Sequence, residues 1–163
     1  AKCTGCHGGR ASRVLGFSAV QLAWSPPAGQ ATVADLQEAG VLPQDVSDEI
    51  ALPGSSLDQE ALGYLHANCS HCHNTTRPET DGPRCYDPQE SFDLSFPAAG
   101  VGSVQESPAY ATSVEERVLT RGDTDGSRLV QRLSGGNPRM PALGTEDIDQ
   151  EGRALLTSWV NSL

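Results

Sequence analysis

Apolar residues recur every three or four positions in several stretches of the chain, which is the spacing of amphipathic helices. The pattern predicts six helices, over residues 13–24, 31–39, 56–69, 113–119, 127–133 and from about 149 to the end. No stretch shows the strict alternation of apolar and polar residues that marks a half-buried strand. We therefore expect an all-α fold.

Capping and breaking residues mark the ends of these helices. Ser56 and Gln59 match a capping box before the third predicted helix. Ser113 and Glu116 match another box before the fourth predicted helix. Gly40 follows the second helix where a C′ glycine is expected.

A Pro-, Gly- and Ser-rich stretch at residues 53–56 predicts a boundary near residue 54. The chain would then consist of a first unit, residues 1–54, and a second unit, residues 55–163. Residues 74–112 contain five prolines and are predicted to form a long loop. Because the chain begins at Ala1 without a Met or a signal segment, we expect a mature or trimmed form.

The composition is thin for a self-sufficient core. Hydrophobic residues make up 37% of the 163 residues and aromatic residues only 5%, while Gly and Pro number 17 and 11. Aromatic side chains normally supply much of a core of this size. We therefore expect that something other than side chains fills part of the interior.

The charge balance excludes several classes of partner. Eleven basic residues against 21 acidic residues give a net charge of −10. Nucleic acids and anionic membranes both require a basic face. The longest apolar stretches are also too short for a transmembrane span.

The pattern C-x-x-C-H occurs twice, at residues 3–7 and 69–73. It is the attachment pattern of c-type haem, in which each thiol adds across a porphyrin vinyl group and the histidine ligates the iron. We therefore predict two covalently bound haem c groups, which would also fill the interior. The predicted thioether residues are Cys3, Cys6, Cys69 and Cys72, and the predicted proximal iron ligands are His7 and His73.

Two other uses of these residues fit less well. In a zinc site made from all four cysteines, Cys6 and Cys69 would be 63 positions apart. Zinc sites of this kind usually have about 15–20, and the site would leave both trailing histidines without a role. Paired dithiol redox motifs need an alternation of strands and helices, which the pattern does not show.

Met140 is the predicted distal ligand of the second iron. It is the only methionine of the chain and lies between Pro138 and Pro141, whose restricted φ angles stiffen the loop. A thioether ligand favours ferrous iron and raises the reduction potential. The alternative is a methionine that fills a gap in the core.

One methionine cannot serve two irons, so the first haem needs another distal ligand or has none. His66, on the predicted third helix, is the leading candidate, although a lone histidine is more often a hydrogen-bonded surface residue or a propionate partner. His71, Lys2, the terminal amine and a residue of another chain are further candidates. Imidazole ligation would give the first haem a lower potential than the second.

Other residues leave alternatives open. Cys85 is left over, either for an intermolecular disulfide or as a buried thiol. Trp24 and Trp159 either donate to a propionate or pack in the core. Arginines in the C-terminal third either pair with propionates or lie on solvated helix faces; they are Arg117, Arg121, Arg128, Arg132 and Arg139.

Residues 55–163 resemble a class I cytochrome c domain. The similarity consists of a leading helix, the motif at 69–73, the segment 139–141 and a closing helix. The resemblance implies that the leading and closing helices cross closely. Gly63, beside Tyr64, would permit that approach.

The whole chain resembles a family of bacterial di-haem c-type cytochromes. Beyond the two motifs, the similar stretches are residues 15–17, 21–22, 64–69, 122–123, 127–129, 139–144 and 149–152. The resemblance implies an exported carrier, periplasmic or extracellular, that moves single electrons between redox proteins and transforms no substrate itself. The acidic charge predicts partners with basic docking surfaces and an association rate that falls with salt.

The first unit departs from the class I pattern, because only two residues precede Cys3 and no leading helix is present. Either the chain is trimmed, or the first haem lies against the second unit. Two alternative functions stay open: a haem subunit of a larger electron-transfer complex or polymeric conduit, and a di-haem peroxidase. A peroxidase needs an open or displaceable distal position, but no acid–base pair for peroxide cleavage is evident.

Overall fold

The computed structural model describes residues 6–10, 13–23, 29–47, 50–76, 92–142 and 145–163. Its helices are α1 (Ala19–Leu22), α2 (Val33–Glu38), α3 (Ser56–Asn68), α4 (Pro108–Glu115), α5 (Arg128–Leu133) and α6 (Gln150–Ser162). Within these ranges no strand occurs, so the all-α expectation is confirmed for the described part of the chain. None of the described helices is both long and apolar enough to span a bilayer.

The helices α3 and α6 pack against each other at the centre of the fold. Leu62 and Leu65 of α3 and Leu156 and Trp159 of α6 are almost completely buried. Helix α5 packs on α6, while α1 and α4 pack on α3. The expected packing of the leading helix against the closing helix is therefore observed.

The glycine that permits this packing is Gly152 rather than Gly63. A Cβ atom on Gly152 would overlap the phenol of Tyr64, whereas the nearest atom to a Cβ on Gly63 is Leu52 Cδ2 at 3.8 Å. Tyr64 also donates its hydroxyl proton to Asp149 Oδ2 at 2.8 Å. The prediction for Gly63 was wrong because helical periodicity does not show which residue faces the bulky ring.

The capping box of α3 lies one residue earlier than predicted. Ser55, with extended backbone angles, is the N-cap, and its Oγ accepts from the Asp58 amide. Asp58 Oδ2 accepts from the Ser55 amide at 2.8 Å. The short Asp58 side chain completes the box, while Gln59 donates to the carbonyl of Leu52.

Helix α4 also begins earlier than predicted. Ser107 caps it through the Tyr110 amide, and Pro108 occupies the first turn, where its missing N–H costs nothing. Ser113, predicted as a cap, is instead buried within the helix. Arg117, at φ 54°, adopts the left-handed region just after the helix ends.

Helix α1 is much shorter than the predicted span of 13–24. Gly16, at φ 73°, breaks the path of the chain, and Ser18 then caps a helix of four residues. Phe17, which we expected on the apolar helix face, is 48% exposed. Periodicity alone did not reveal the left-handed turn before the cap.

The described part of the first unit packs onto the second. Ala19, Val20 and Ala23 lie against a hydrophobic core formed by Ile50 of the first unit and by residues of the second unit. Helix α2 ends before Gly40, at φ 70°, as predicted. The boundary near residue 54 stays a prediction.

Candidate functional site

The second motif continues the end of α3. Cys69 is the C-cap of the helix, and its carbonyl accepts from the amides of Cys72 at 3.0 Å and His73 at 2.9 Å. The motif is therefore folded as a helical turn. Such a turn brings the two cysteines and the histidine of one motif close together.

The described cysteines of this region form no disulfide bond. Cys6, Cys69 and Cys72 carry thiols rather than disulfides. Burial, with a smaller effect of Cys72, raises the pKa of Cys69 to about 12. A free thiol at residue 69 would therefore be protonated at neutral pH.

Residues 92–96 lie against the second motif. The rings of Phe92 and His73 stack with their centroids 4.4 Å apart and their planes 20° apart. The His73 carbonyl accepts from the Leu94 amide at 2.9 Å. Phe92 and Leu94 are both buried, so the imidazole of His73 has an apolar ring on one side.

The first motif is described from Cys6 onward, and Cys3 lies outside the described residues. His7 is exposed, and its Nδ1 is 2.8 Å from the carbonyl oxygen of Arg13. This contact orients the His7 ring, since Nδ1–H donates to the carbonyl.

The two motifs meet in the fold. A sulfur from Cys6, a sulfur from Cys72 and a ring nitrogen of His71 lie within 4.8 Å of one another. Two sulfurs and an imidazole are also a donor set that thiophilic metals accept. This set differs from the four cysteines considered for zinc, and no local spacing in the sequence predicts it.

Side-chain and backbone contacts hold the two motif segments together. Asn74 donates through Nδ2 to the carbonyls of Gly9 at 3.0 Å and Ser70 at 2.7 Å. Arg10 donates to Ser70 Oγ at 2.5 Å. Gly9 is buried, and a Cβ atom there would overlap the carbonyl oxygen of His71.

His66 is buried, and both of its ring nitrogens have partners. Nδ1 accepts from the Phe96 amide at 2.9 Å, which leaves the proton of the neutral ring on Nε2. Nε2 lies 2.9 Å from Ser18 Oγ. Burial, and then the charge of Arg10, lowers the pKa of His66 to about 4. These contacts agree with a hydrogen-bonded histidine, and ligation of the first iron by His66 stays a prediction.

The loop that carries Met140 is held on both sides. The Met140 amide donates to the Arg132 carbonyl at 3.1 Å, and Arg132 Nη1 donates to the Pro138 carbonyl at 2.8 Å. Arg139 donates to the Glu146 carbonyl at 2.8 Å. Two arginines considered as propionate partners therefore brace this loop. Met140 itself is half-buried.

Of four further residues that the sequence singled out, one has a different hydrogen-bond partner and three lie outside the described residues. The indole of Trp159 donates to Asp58 and is thus not available to a propionate. Lys2, Trp24 and Cys85 lie outside the described residues. Sequence reasoning missed Gly9 and Asn74, which carry no signal of chemistry and are identified only by their contacts.

No protein-family model, curated protein or solved structure matches the chain. Across its described residues the chain is all-α, and two Cys- and His-containing segments lie in contact.

Proposed function

We propose that the chain is a di-haem c-type cytochrome that passes single electrons between redox partners outside the cytoplasm. The observation that carries the proposal is the doubled C-x-x-C-H pattern, one copy of which folds as a helical turn. This pattern is specific for covalent haem attachment. The proposed location follows from the same chemistry and from the resemblance to exported di-haem cytochromes.

The residues of the second motif fit a covalently bound haem. Cys69 and Cys72 supply thiols for the two thioether bonds, and His73 supplies an imidazole for the iron. Bound haem would contribute reversible one-electron chemistry at iron. Phe92 stacks on His73 and restricts rotation of the imidazole, and its buried position keeps water from that side of the ring.

Met140 is the proposed distal ligand of the second iron. Bonds from Arg132 and Arg139 stiffen its loop, so the thioether would be held with little freedom. A thioether ligand raises the potential above that of a haem with a histidine in the same position. We therefore propose that the second haem has the higher potential.

The net charge of −10 supports a partner with a basic docking surface. Opposite charges steer the two proteins toward each other before contact. The association rate should therefore fall as salt screens the attraction.

Intact mass and the pyridine haemochrome spectrum of the chain, produced in a host that attaches haem c, test the proposal. We expect a mass increase of two haem groups and their absorption in denatured protein. The double variant Cys69→Ser/Cys72→Ser should retain one haem, whereas Cys85→Ser, a cysteine outside both motifs, should retain two. The mass of the bare polypeptide in the unaltered chain would refute the proposal.

A further inference from the structure

The two haem-binding segments are in direct contact, although more than sixty residues separate them in the sequence. Building on the proposed function, we propose that the two haems are paired at their thioether edges. In this pairing Gly9 and Asn74 are positioning residues that hold one attachment site against the other.

The sulfur atoms of one cysteine in each motif lie close to each other. Cys6 belongs to the first motif and Cys72 to the second, and their sulfurs lie within 4.8 Å of each other. Each sulfur would be one covalent bond away from its own porphyrin. The two porphyrin edges that carry these bonds are therefore brought together, whatever the distal ligands of the irons are.

Gly9 lies directly against the backbone of the second motif. Its position is buried, and an added Cβ would overlap the carbonyl oxygen of His71 and lie 2.9 Å from its carbonyl carbon. The obstacle is backbone, which cannot move aside as a flexible side chain can. Any side chain at residue 9 would thus push the two motif segments apart.

Asn74, which directly follows the second motif, joins the two motif segments by hydrogen bonds. Its amide nitrogen donates to one carbonyl in each segment, that of Gly9 and that of Ser70. Its Oδ1 accepts from Thr76, so the side chain is held in the orientation that both bonds require. Arg10, bonded to Ser70, adds a further link between the segments.

A haem pair of this kind would transfer an electron internally. One ferrous iron is oxidised and the other, ferric, iron is reduced, and no proton or further reactant is involved. Because tunnelling weakens steeply with distance, the contact between the segments would control this step. The protein would then carry electrons through two haem groups held at a fixed distance from each other.

Electron paramagnetic resonance of the fully oxidised protein tests the pairing, because two nearby ferric irons broaden and relax each other's signals. We expect this spin–spin broadening in the unaltered protein. Gly9→Ala should diminish it, whereas Gly63→Ala, with no atom nearer than 3.8 Å to the new Cβ, should not. Asn74→Ala should likewise diminish it, unlike Asn68→Ala, which removes only a bond to Tyr64 of the same helix.

The haem content of every variant is measured by the pyridine haemochrome spectrum. Absence of haem would refute the proposed function itself. Two haems without spin–spin broadening in the unaltered protein would overturn only the pairing. Unchanged broadening in both Gly9→Ala and Asn74→Ala would overturn the roles assigned to these residues.

Discussion

The indole Nε1 of Trp159 donates a hydrogen bond to Oδ1 of Asp58 at 3.0 Å, joining the last helix to the first turn of α3. Trp159 is fully buried, and Asp58 also accepts from Ser55 in the capping box. Partial burial raises the pKa of Asp58, but the bonds from Ser55 and Trp159 outweigh it, so the net pKa is below the usual 3.8. A single carboxylate thus stabilises both the start of α3 and its packing on α6.

The lowered pKa of Asp58 predicts a pH dependence of stability. The contribution of this carboxylate is present above pH 3.8, the usual value, and is lost as the pH falls through the lower pKa of the folded state. Asp58→Asn should therefore be less stable at neutral pH but lose less stability on acidification. Denaturant unfolding from pH 7 to pH 2 measures this, with the exposed Asp45→Asn as control. Parallel acid profiles for Asp58→Asn and the unaltered chain would contradict the prediction.

The position of the helix cap gives a second prediction. Ser55→Ala should reduce the free energy of unfolding by about 1 kcal/mol, because it removes the acceptor for the Asp58 amide. Ser56→Ala should change it by less than about 0.5 kcal/mol, since Ser56 lies exposed inside the helix. Urea denaturation compares the two variants. A larger effect at residue 56 would show that the cap predicted from the sequence is the correct one.

The contact between Gly152 and Tyr64 predicts opposite effects for two similar substitutions. Gly152→Ala should destabilise the protein by about 1–3 kcal/mol, because the new methyl group overlaps the Tyr64 ring. Gly63→Ala should be neutral or stabilising by up to about 1 kcal/mol, since alanine favours helix and has room there. Thermal unfolding provides the measurement. Equal stability of the two variants would contradict the assigned approach of the helices.

His66 gives a prediction that separates its two possible roles. His66→Ala should cost about 1–3 kcal/mol of stability, because the buried Phe96 amide loses its acceptor. Ser18→Ala removes the partner of Nε2 and the cap of the four-residue α1, but it should cost less, since the buried Phe96 amide keeps its acceptor. Retention of both axial ligand sets in the electron paramagnetic resonance spectrum of His66→Ala would assign His66 to its hydrogen bonds alone. Conversion of one haem to a high-spin form would instead identify His66 as an iron ligand.

Met140, the proposed distal ligand of the second proposed haem, provides a test of the proposed function. Met140→Ala should lower one of the two reduction potentials and abolish the thioether-to-iron charge-transfer band, because the soft ligand is lost. Met140→His should keep the iron low-spin at a lowered potential. Spectroelectrochemical titration follows both haems. Two unchanged potentials in Met140→Ala would assign the residue to core packing.

Local patterns predicted most helices to within a few residues. The third, fifth and sixth predicted helices correspond to α3, α5 and α6, and residues 31–39 contain α2, because periodicity and capping act over one or two turns. The first and fourth predicted helices differ from the structure, and these differences also have local causes. Gly16 adopts a left-handed turn inside the first predicted helix, and Pro108 begins α4 five residues before the predicted start.

The sequence by itself predicted the helical class and contained the two C-x-x-C-H motifs on which the proposed haem attachment rests, since both depend on spacings of a few positions along the chain. Only the tertiary structure decided which glycine lies beneath Tyr64, which partners occupy His66, and that Gly9 lies against His71. Each of these relationships joins residues that are thirty or more positions apart. They depend on how helices and loops approach one another in space, and local spacing does not encode that approach.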